Sequence, residues 1–424
     1  MSCLRPLAAA VALIAAPAFA QSATEAELAR KLDALAAELA SVKAQLQQMQ
    51  QQRAAPALVP AAPMAAAAPA PAATPAEPAT VLTSYGEITY NRPTRASQNA
   101  QADLRRFVLG FQHRFDPKTK LVTEVEVEHS VSSSGDPGEV AIEQAYVERQ
   151  VAPQWALRGG LFLIPMGLLN ETHEPTAFYG VERNFVETAI IPTTWREGGL
   201  QAVGAFDNGL TFQTGLSTGF DLTKWDAAST DGAESPLGSI HQELALAKAR
   251  DLSLFGALNW RGMPGLLVGG GVFTGGATHG RAAASARVTL WDAHVRWTPG
   301  RWDFAALYSR GSISNTAGLN APLVGSTTLI PKSFDGWYAQ AAYKLWSRDD
   351  AALSPFVRWE QFNTARSFAD LGPGLTPSGA MTERVITLGA NYQVAQGIVV
   401  KADVQRFREN RDADRLNLGL GWSF

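Results

Sequence analysis

The chain carries one cysteine in 424 residues, Cys3, and it precedes an apolar run close to the first residue. If residues 1–20 are removed as a leader, no thiol remains and disulfides are excluded. Long hydrophobic runs are also missing: nothing after the leader reaches ~18 uninterrupted apolar residues, so no helical membrane span is expected. Basic charge is not in excess either. The full chain has 36 Lys+Arg against 39 Asp+Glu, and losing Arg5 with the leader leaves 35 against 39, about −4. That balance argues against a nucleic-acid partner, which usually selects a basic chain. The six histidines are dispersed without metal-type spacing. The Ser/His pair that a barrel phospholipase would need near the lipid interface is not evident. The glycine run over 269–276 lies in a strand pattern with no helix after it, which argues against a phosphate loop. Neither cofactor, metal nor catalytic residue is expected, and the chain reads as a non-enzyme.

Three segments precede the main body. Arg5, the apolar stretch 7–16 and Ala18-Phe19-Ala20 before Gln21 form a secretion signal over 1–20. Over 21–52, Leu28, Leu32, Leu35, Leu39, Val42, Leu46 and Met49 repeat at alternating steps of four and three, the heptad rhythm of a coiled-coil helix. Residues 53–80 hold seven prolines among alanines and two charges, Arg53 and Glu77. Proline fixes φ and removes a donor, so this is an extended spacer, reaching on the order of 90 Å in polyproline form. It suits a tether between a periplasmic helix and a membrane domain.

From residue 81 the pattern changes to period two. Leu416, Leu418, Leu420, Trp422 and Phe424 alternate with Arg415, Asn417, Gly419, Gly421 and Ser423, so one face of the last strand is apolar and the other polar or small. Lipid accepts the first face and a wet lumen the second. Sixteen such strands are expected, at 83–91, 104–115, 120–130, 138–150, 154–163, 198–206, 209–218, 251–261, 265–276, 286–298, 301–311, 334–347, 353–364, 382–394, 397–408 and 413–424. Tight-turn compositions such as Asp207-Asn208 and Pro299-Gly300 alternate with longer links. Short turns on one side and long loops on the other are the rhythm of an outer-membrane barrel. The fold expected over 81–424 is therefore all-β, a 16-stranded antiparallel transmembrane β-barrel behind an N-terminal α-helical coiled coil. Its place is the outer membrane of a Gram-negative cell, with the N-terminal segment in the periplasm. Trp155, Trp291, Trp297, Trp302, Tyr308, Tyr343, Trp359 and Trp422 read as interface aromatics.

A ring of sixteen strands is too wide for wall side chains to fill. The link over 164–197 mixes acids, bases and aromatics and is expected to fold inward as a constriction carrying Glu171, Glu174, Glu182, Arg183, Glu187 and Arg196. Strand parity sends Arg106, Arg114, Arg158, Arg261, Arg296, Lys344, Arg358, Lys401 and Arg415 to the lumen, with Glu124, Glu126, Glu128, Asp292, Asp303, Glu360 and Asp403. Arg158 and Arg196 either steer anions or anchor the loop. Glu124, Glu126 and Glu128 form a hydrated wall or a divalent-cation site, and parity does not separate the two.

Arg158-Gly159-Gly160-Leu161-Phe162-Leu163-Ile164-Pro165-Met166-Gly167 resembles the corresponding segment of the phosphate-selective porin O and P family. The stretch from Ala249-Arg250-Asp251-Leu252 to Asn259-Trp260-Arg261-Gly262-Met263-Pro264-Gly265-Leu266 and the aromatic C-terminal strand add to the likeness. It covers roughly residues 80–424. The resemblance implies a homotrimer of 16-stranded barrels that passes anions such as phosphate along inward arginines and lysines. Five acids in the inward link, Glu171, Glu174, Glu182, Glu187 and Glu197, against Arg183 and Arg196 favour weaker selectivity. The function expected is passive diffusion of small hydrophilic solutes or ions, with outer-membrane lipid and other copies of the chain as partners. The alternatives are an envelope tether anchored by the barrel, or a barrel enzyme.

Overall fold

The computed structural model describes residues 79–131, 133, 135–282 and 284–424. The signal, the coiled coil and nearly all of the spacer expected from the sequence lie outside the described residues. Seventeen strands follow: β1 Thr80–Pro93, β2 Gln101–Asp116, β3 Thr119–Glu128, β4 Val140–Ala152, β5 Trp155–Leu163, β6 Arg196–Ala205, β7 Leu210–Ser217, β8 Ser253–Met263, β9 Leu266–Gly276, β10 Arg287–Trp297, β11 Trp302–Ile313, β12 Ser333–Tyr343, β13 Trp346–Arg348, β14 Ala351–Ser367, β15 Glu383–Ala395, β16 Ile398–Phe407 and β17 Arg415–Ser423. All pairings are antiparallel, and the ring closes where β1 pairs with β17 from Tyr85↔Ser423 to Pro93↔Arg415.

Sixteen strands form the ring and β13 lies outside it. The long strand expected over 334–347 breaks at Lys344 and Leu345, and β13 pairs only with the start of β14. The 17-residue β14 outruns its neighbour, and this short hairpin takes up the overhang. The first strand begins at Thr80, inside the span expected for the spacer.

The apolar faces point outward, the reverse of a soluble protein. Phe107, Leu109 and Phe111 on β2 are exposed while Arg106 and Val108, on either side of Phe107, are buried. The same holds at Leu388 on β15, Leu420 on β17 and Trp291, Trp297 and Trp302 around the wall. Period two puts consecutive side chains on opposite faces, so this exterior obliges the charged residues to face inward.

Of the register shifts in the ring, two add a charged residue to the inner face. The pairing of β1 with β2 slips between Glu87↔Arg106 and Ile88↔Leu104, leaving Arg105 extra. That of β3 with β4 slips between Glu124↔Gln144 and Val125↔Ile142, leaving Glu143 extra. A bulge presents two residues opposite one. Arg105 therefore joins Arg106 inside, and Glu143 joins Gln144.

The interior is not uniformly wet. The long connections 164–195 and 218–252 turn into the ring and bury an apolar cluster against β5 and β8–β12. Trp195 lies at its centre, stacked on Phe220 at 4.9 Å and edge-on to Phe273 at 4.5 Å. The polar hollow is thereby displaced toward the opposite wall and the end with the short turns.

If the outer face meets hydrocarbon, Leu388→Arg, which is 56% exposed at the centre of β15, should cost about 2–4 kcal/mol. Reversible denaturant unfolding in lipid vesicles measures this. A cost near zero would mean that the band does not lie in lipid.

Candidate functional site

The segment 164–195 reaches strands on every side of the ring, and its contacts define the site. At its start the N–H of Gly167 donates to Asp292 on β10 at 3.1 Å. Gly167 has φ +72°, and a side chain there would run into the Glu187 carboxylate, so glycine is required on both counts. Glu187 accepts from the N–H groups of Leu168 at 2.5 Å and Leu169 at 2.7 Å, from Asn184 at 2.8 Å and from the Tyr338 hydroxyl on β12 at 3.0 Å. Burial raises its carboxyl above the usual range, and those donors pull it back. Glu187 thus serves the loop's own fold and does not face open space.

Further along, His173 meets the Tyr85 hydroxyl on β1 at 2.5 Å and lies 3.7 Å from Glu143, the residue added by the β4 bulge. Tyr85 donates to Glu143 at 2.7 Å. Arg183 binds Thr193 and Thr194 and donates to the His173 carbonyl at 3.2 Å. Burial and then the neighbouring Arg106 bring its guanidinium down to about 10, still charged at neutral pH. Thr176 meets Ser423 on β17 at 2.7 Å.

The opposite wall holds the central part of the loop. Arg358 on β14, 2% exposed, pairs with Glu360 at 2.7 Å and donates to the carbonyls of Tyr179 and Glu182 at 3.0 and 3.2 Å. Glu360 accepts from the N–H of Phe185 at 2.6 Å. Asp403 on β16 accepts from Val181 at 2.6 Å, and Asn391 on β15 spans Gly180 and Phe178. Lys401 has no hydrogen-bond partner among the described residues, but its ammonium lies 3.5 Å from the centre of the Phe178 ring. That contact offsets part of its desolvation. The Tyr179 phenol is pushed to about 12 by burial and by Asp303.

Glu182 closes this set. It pairs with Arg105 at 2.7 Å and accepts from Asn91 at 2.7 Å. Burial raises its carboxyl, but Arg105, then Arg415, Asn91 and Arg106, outweigh that and hold it below the usual carboxylate range.

The remaining expected residues divide between anchor and hollow. Arg196 is buried, pairs with Glu243 at 3.1 Å and donates to the Thr194 carbonyl, so it is an anchor. Arg106 is shared by Glu87 at 3.1 Å and Glu126 at 3.2 Å. Glu124 accepts from Gln144 at 2.5 Å, while Glu128 and Glu174 are half-buried with no ion pair among the described residues. Arg158 pairs with Glu148 at 2.7 Å, and with Arg114 it lines a cavity of about 580 Å³ at the short-turn end. On β3, Glu126 is tied to Arg106 and Glu124 to Gln144, and no group of three or more His, Cys, Asp or Glu with metal-ligand geometry occurs among the described residues.

Sequence parity missed Arg105 and Glu143. The signal was there: the outward apolar residues run Ala102, Leu104, then Phe107, Leu109, and Val140, Ile142, then Ala145, Val147, each shifting phase by one. Tyr85, Tyr338 and Asn391 carried no such mark, because only the inward loop gives them a partner.

The charges are segregated along the hollow. Three cavities open at the short-turn end, and Arg114, Lys120, Arg158, Arg261, Arg296 and Lys344 line them. The acids there are fewer: Asp116 and Glu148 line the largest, and Asp303 pairs with Arg296 at 2.7 Å. Deeper in lie Glu124, Glu171 and Glu174.

No known family model matches the chain. An uncharacterized protein of Aquifex aeolicus (strain VF5) is 27% identical over 351 residues, 80% of this chain and 79% of that protein. Among solved structures, OmpF of Salmonella typhi in complex with daunomycin is similar with a TM-score of 0.57 and 13% identity, covering 81% of this chain and 97% of that one. The outer membrane channel DcaP of Acinetobacter baumannii has 0.54 and 12%, with 81% and 97% covered. The anion-selective porin from Comamonas acidovorans has 0.51 and 10%, with 81% and 100% covered. At these identities the likeness is one of architecture, and the chain has the fold of the porin barrels.

Proposed function

We propose that this chain is an outer-membrane porin, a water-filled channel through which small hydrophilic solutes diffuse down their gradients. One observation carries the reading: a closed ring with an apolar outside and a charged inside is narrowed by its own inward segment. No chemistry is required of any side chain. The segment 164–195 is the constriction, with Glu171, Glu174 and Glu182 as its carboxylates. Glu187, Arg183 and Arg196 hold its shape. The long loops face outside the cell and the short turns face the periplasm, where the N-terminal segment belongs. Self-association through the coiled coil expected over 21–52 gives a trimer in this reading.

Selectivity comes from local rings of charge. The basic short-turn mouth raises the local concentration of anions. The loop carboxylates repel them, so the channel is weakly anion-selective and not phosphate-specific. In planar bilayers with a tenfold KCl gradient, the reversal potential should fall modestly on the chloride side, and low phosphate should leave the chloride current unblocked. A potassium-side potential would remove the anion preference, and an absence of conductance would remove the channel.

The lowered Glu182 carboxyl gives a pH dependence. Its folded value lies below the unfolded one, so the anchor is present at neutral pH and is lost as pH falls through the ordinary carboxylate range and below it, around pH 4 and lower. Single-channel current should become noisier there, and Glu182→Gln should show that noise already at pH 7. Identical noise in both proteins at every pH would free Glu182 of this role.

A further inference from the structure

The cavity of about 580 Å³ at the short-turn end is lined by more bases than acids, and the Glu171 carboxylate is bonded to one of its lining residues, Gln213. Arg114, Lys120, Glu148, Arg158, Gln213 and Arg261 are among its lining residues. Glu148 is shared, at 2.7 Å from Arg158 and 3.1 Å from Lys120, so one carboxylate serves two cations. Arg261 is exposed to the hollow and forms no ion pair among the described residues. The wall therefore keeps a positive excess.

A relay of side chains leads from this wall to the loop. Arg158 donates to Gln201 at 3.3 Å, Gln201 donates to Gln213 at 2.7 Å, and Gln213 donates to Glu171 at 2.8 Å. The relay crosses β5, β6 and β7 and ends on a carboxylate that is otherwise exposed to the hollow. Arg158 also lies over the Tyr146 ring, 5.1 Å from its centre, which fixes the guanidinium. Enclosure within the ring raises the Glu171 carboxyl although its surface reaches the hollow, and Gln213, Arg158 and Arg261 offset part of that rise. Glu174 follows Glu171 in the same inward segment and adds a second carboxylate there.

We propose that this cavity is a binding subsite for small zwitterions, solutes carrying a carboxylate at one end and an ammonium at the other. The carboxylate lies at Arg261 and Lys120, and the ammonium points inward to Glu171. A dianion meets repulsion at Glu171, and a simple cation meets repulsion at the wall. A dipolar solute satisfies both ends, which is electrostatic complementarity acting as specificity. The proposal rests on the porin reading, since it presumes that solutes enter from this mouth.

Swelling of liposomes holding the full protein tests it, with γ-aminobutyrate, neutral erythritol and succinate as probes. The wild type should admit γ-aminobutyrate faster than erythritol, by about two- to five-fold, the range expected of one or two partly exposed charge pairs. Glu171→Gln should bring that ratio toward one and raise the succinate rate. Arg261→Gln should lower both charged solutes relative to erythritol. The fall of γ-aminobutyrate entry in Glu171→Gln separates a dipolar subsite from a general anion funnel, in which that variant leaves the net-neutral solute unchanged. A wild-type ratio of one, or a ratio that Glu171→Gln leaves unchanged, would overturn the subsite while erythritol entry still upholds the channel. If no solute enters, the porin reading falls and the subsite falls with it.

Discussion

An unpaired strand edge in hydrocarbon leaves a row of N–H and C=O groups without partners, each costing several kcal/mol where no water can reach them. Ring closure between β1 and β17 removes the edge, and most other features follow from it. Closure fixes which face of every strand looks out. With sixteen strands it also creates a hollow wider than wall side chains can span. Something longer must enter, and the segment 164–195 does, with 218–252 packing behind it.

A segment inside such a hollow has few apolar partners on the polar side, so it is held there by charge. Arg358 and Glu360 bind three backbone groups of the loop between them, and Asp403 binds a fourth. Buried ion pairs of this kind contribute little net stability, because desolvation consumes most of the attraction. Their value is in position. Removing one partner strands the other, typically at about 3–5 kcal/mol, so each anchor locks the next. The other side of the same loop is held by apolar packing around Trp195. Wall charges on one side and an aromatic cluster on the other leave the loop a single path across the ring.

The bulges show how a strict alternation is relaxed. Arg105 meets Glu182 and Glu143 meets His173 and Tyr85, and neither contact exists if β2 and β4 keep their phase. Each bulge adds one inward charge where the loop needs a partner. The basic excess at the short-turn end is left uncancelled because none of the described segments enters there.

The alternation of apolar and polar residues was enough to determine the sixteen strands of the ring, their antiparallel pairing and most of the charges that face inward, since period two maps directly onto two faces. Arg358, Lys401, Glu126 and Arg158 were legible in that way. The alternation of short and long links likewise marked 164–197 as the segment free to enter. What the residues along one strand cannot state is which of them a distant loop will meet. Glu187 and Arg183 read as channel-lining acid and base, yet they fold back onto the loop itself, because most of their partners lie in the same segment. Tyr85 and Asn391 looked like ordinary wall residues until the loop reached them. Periodicity is a local property of the chain, whereas the path of a loop through a hollow is decided by partners far apart in sequence that only closure of the ring brings together.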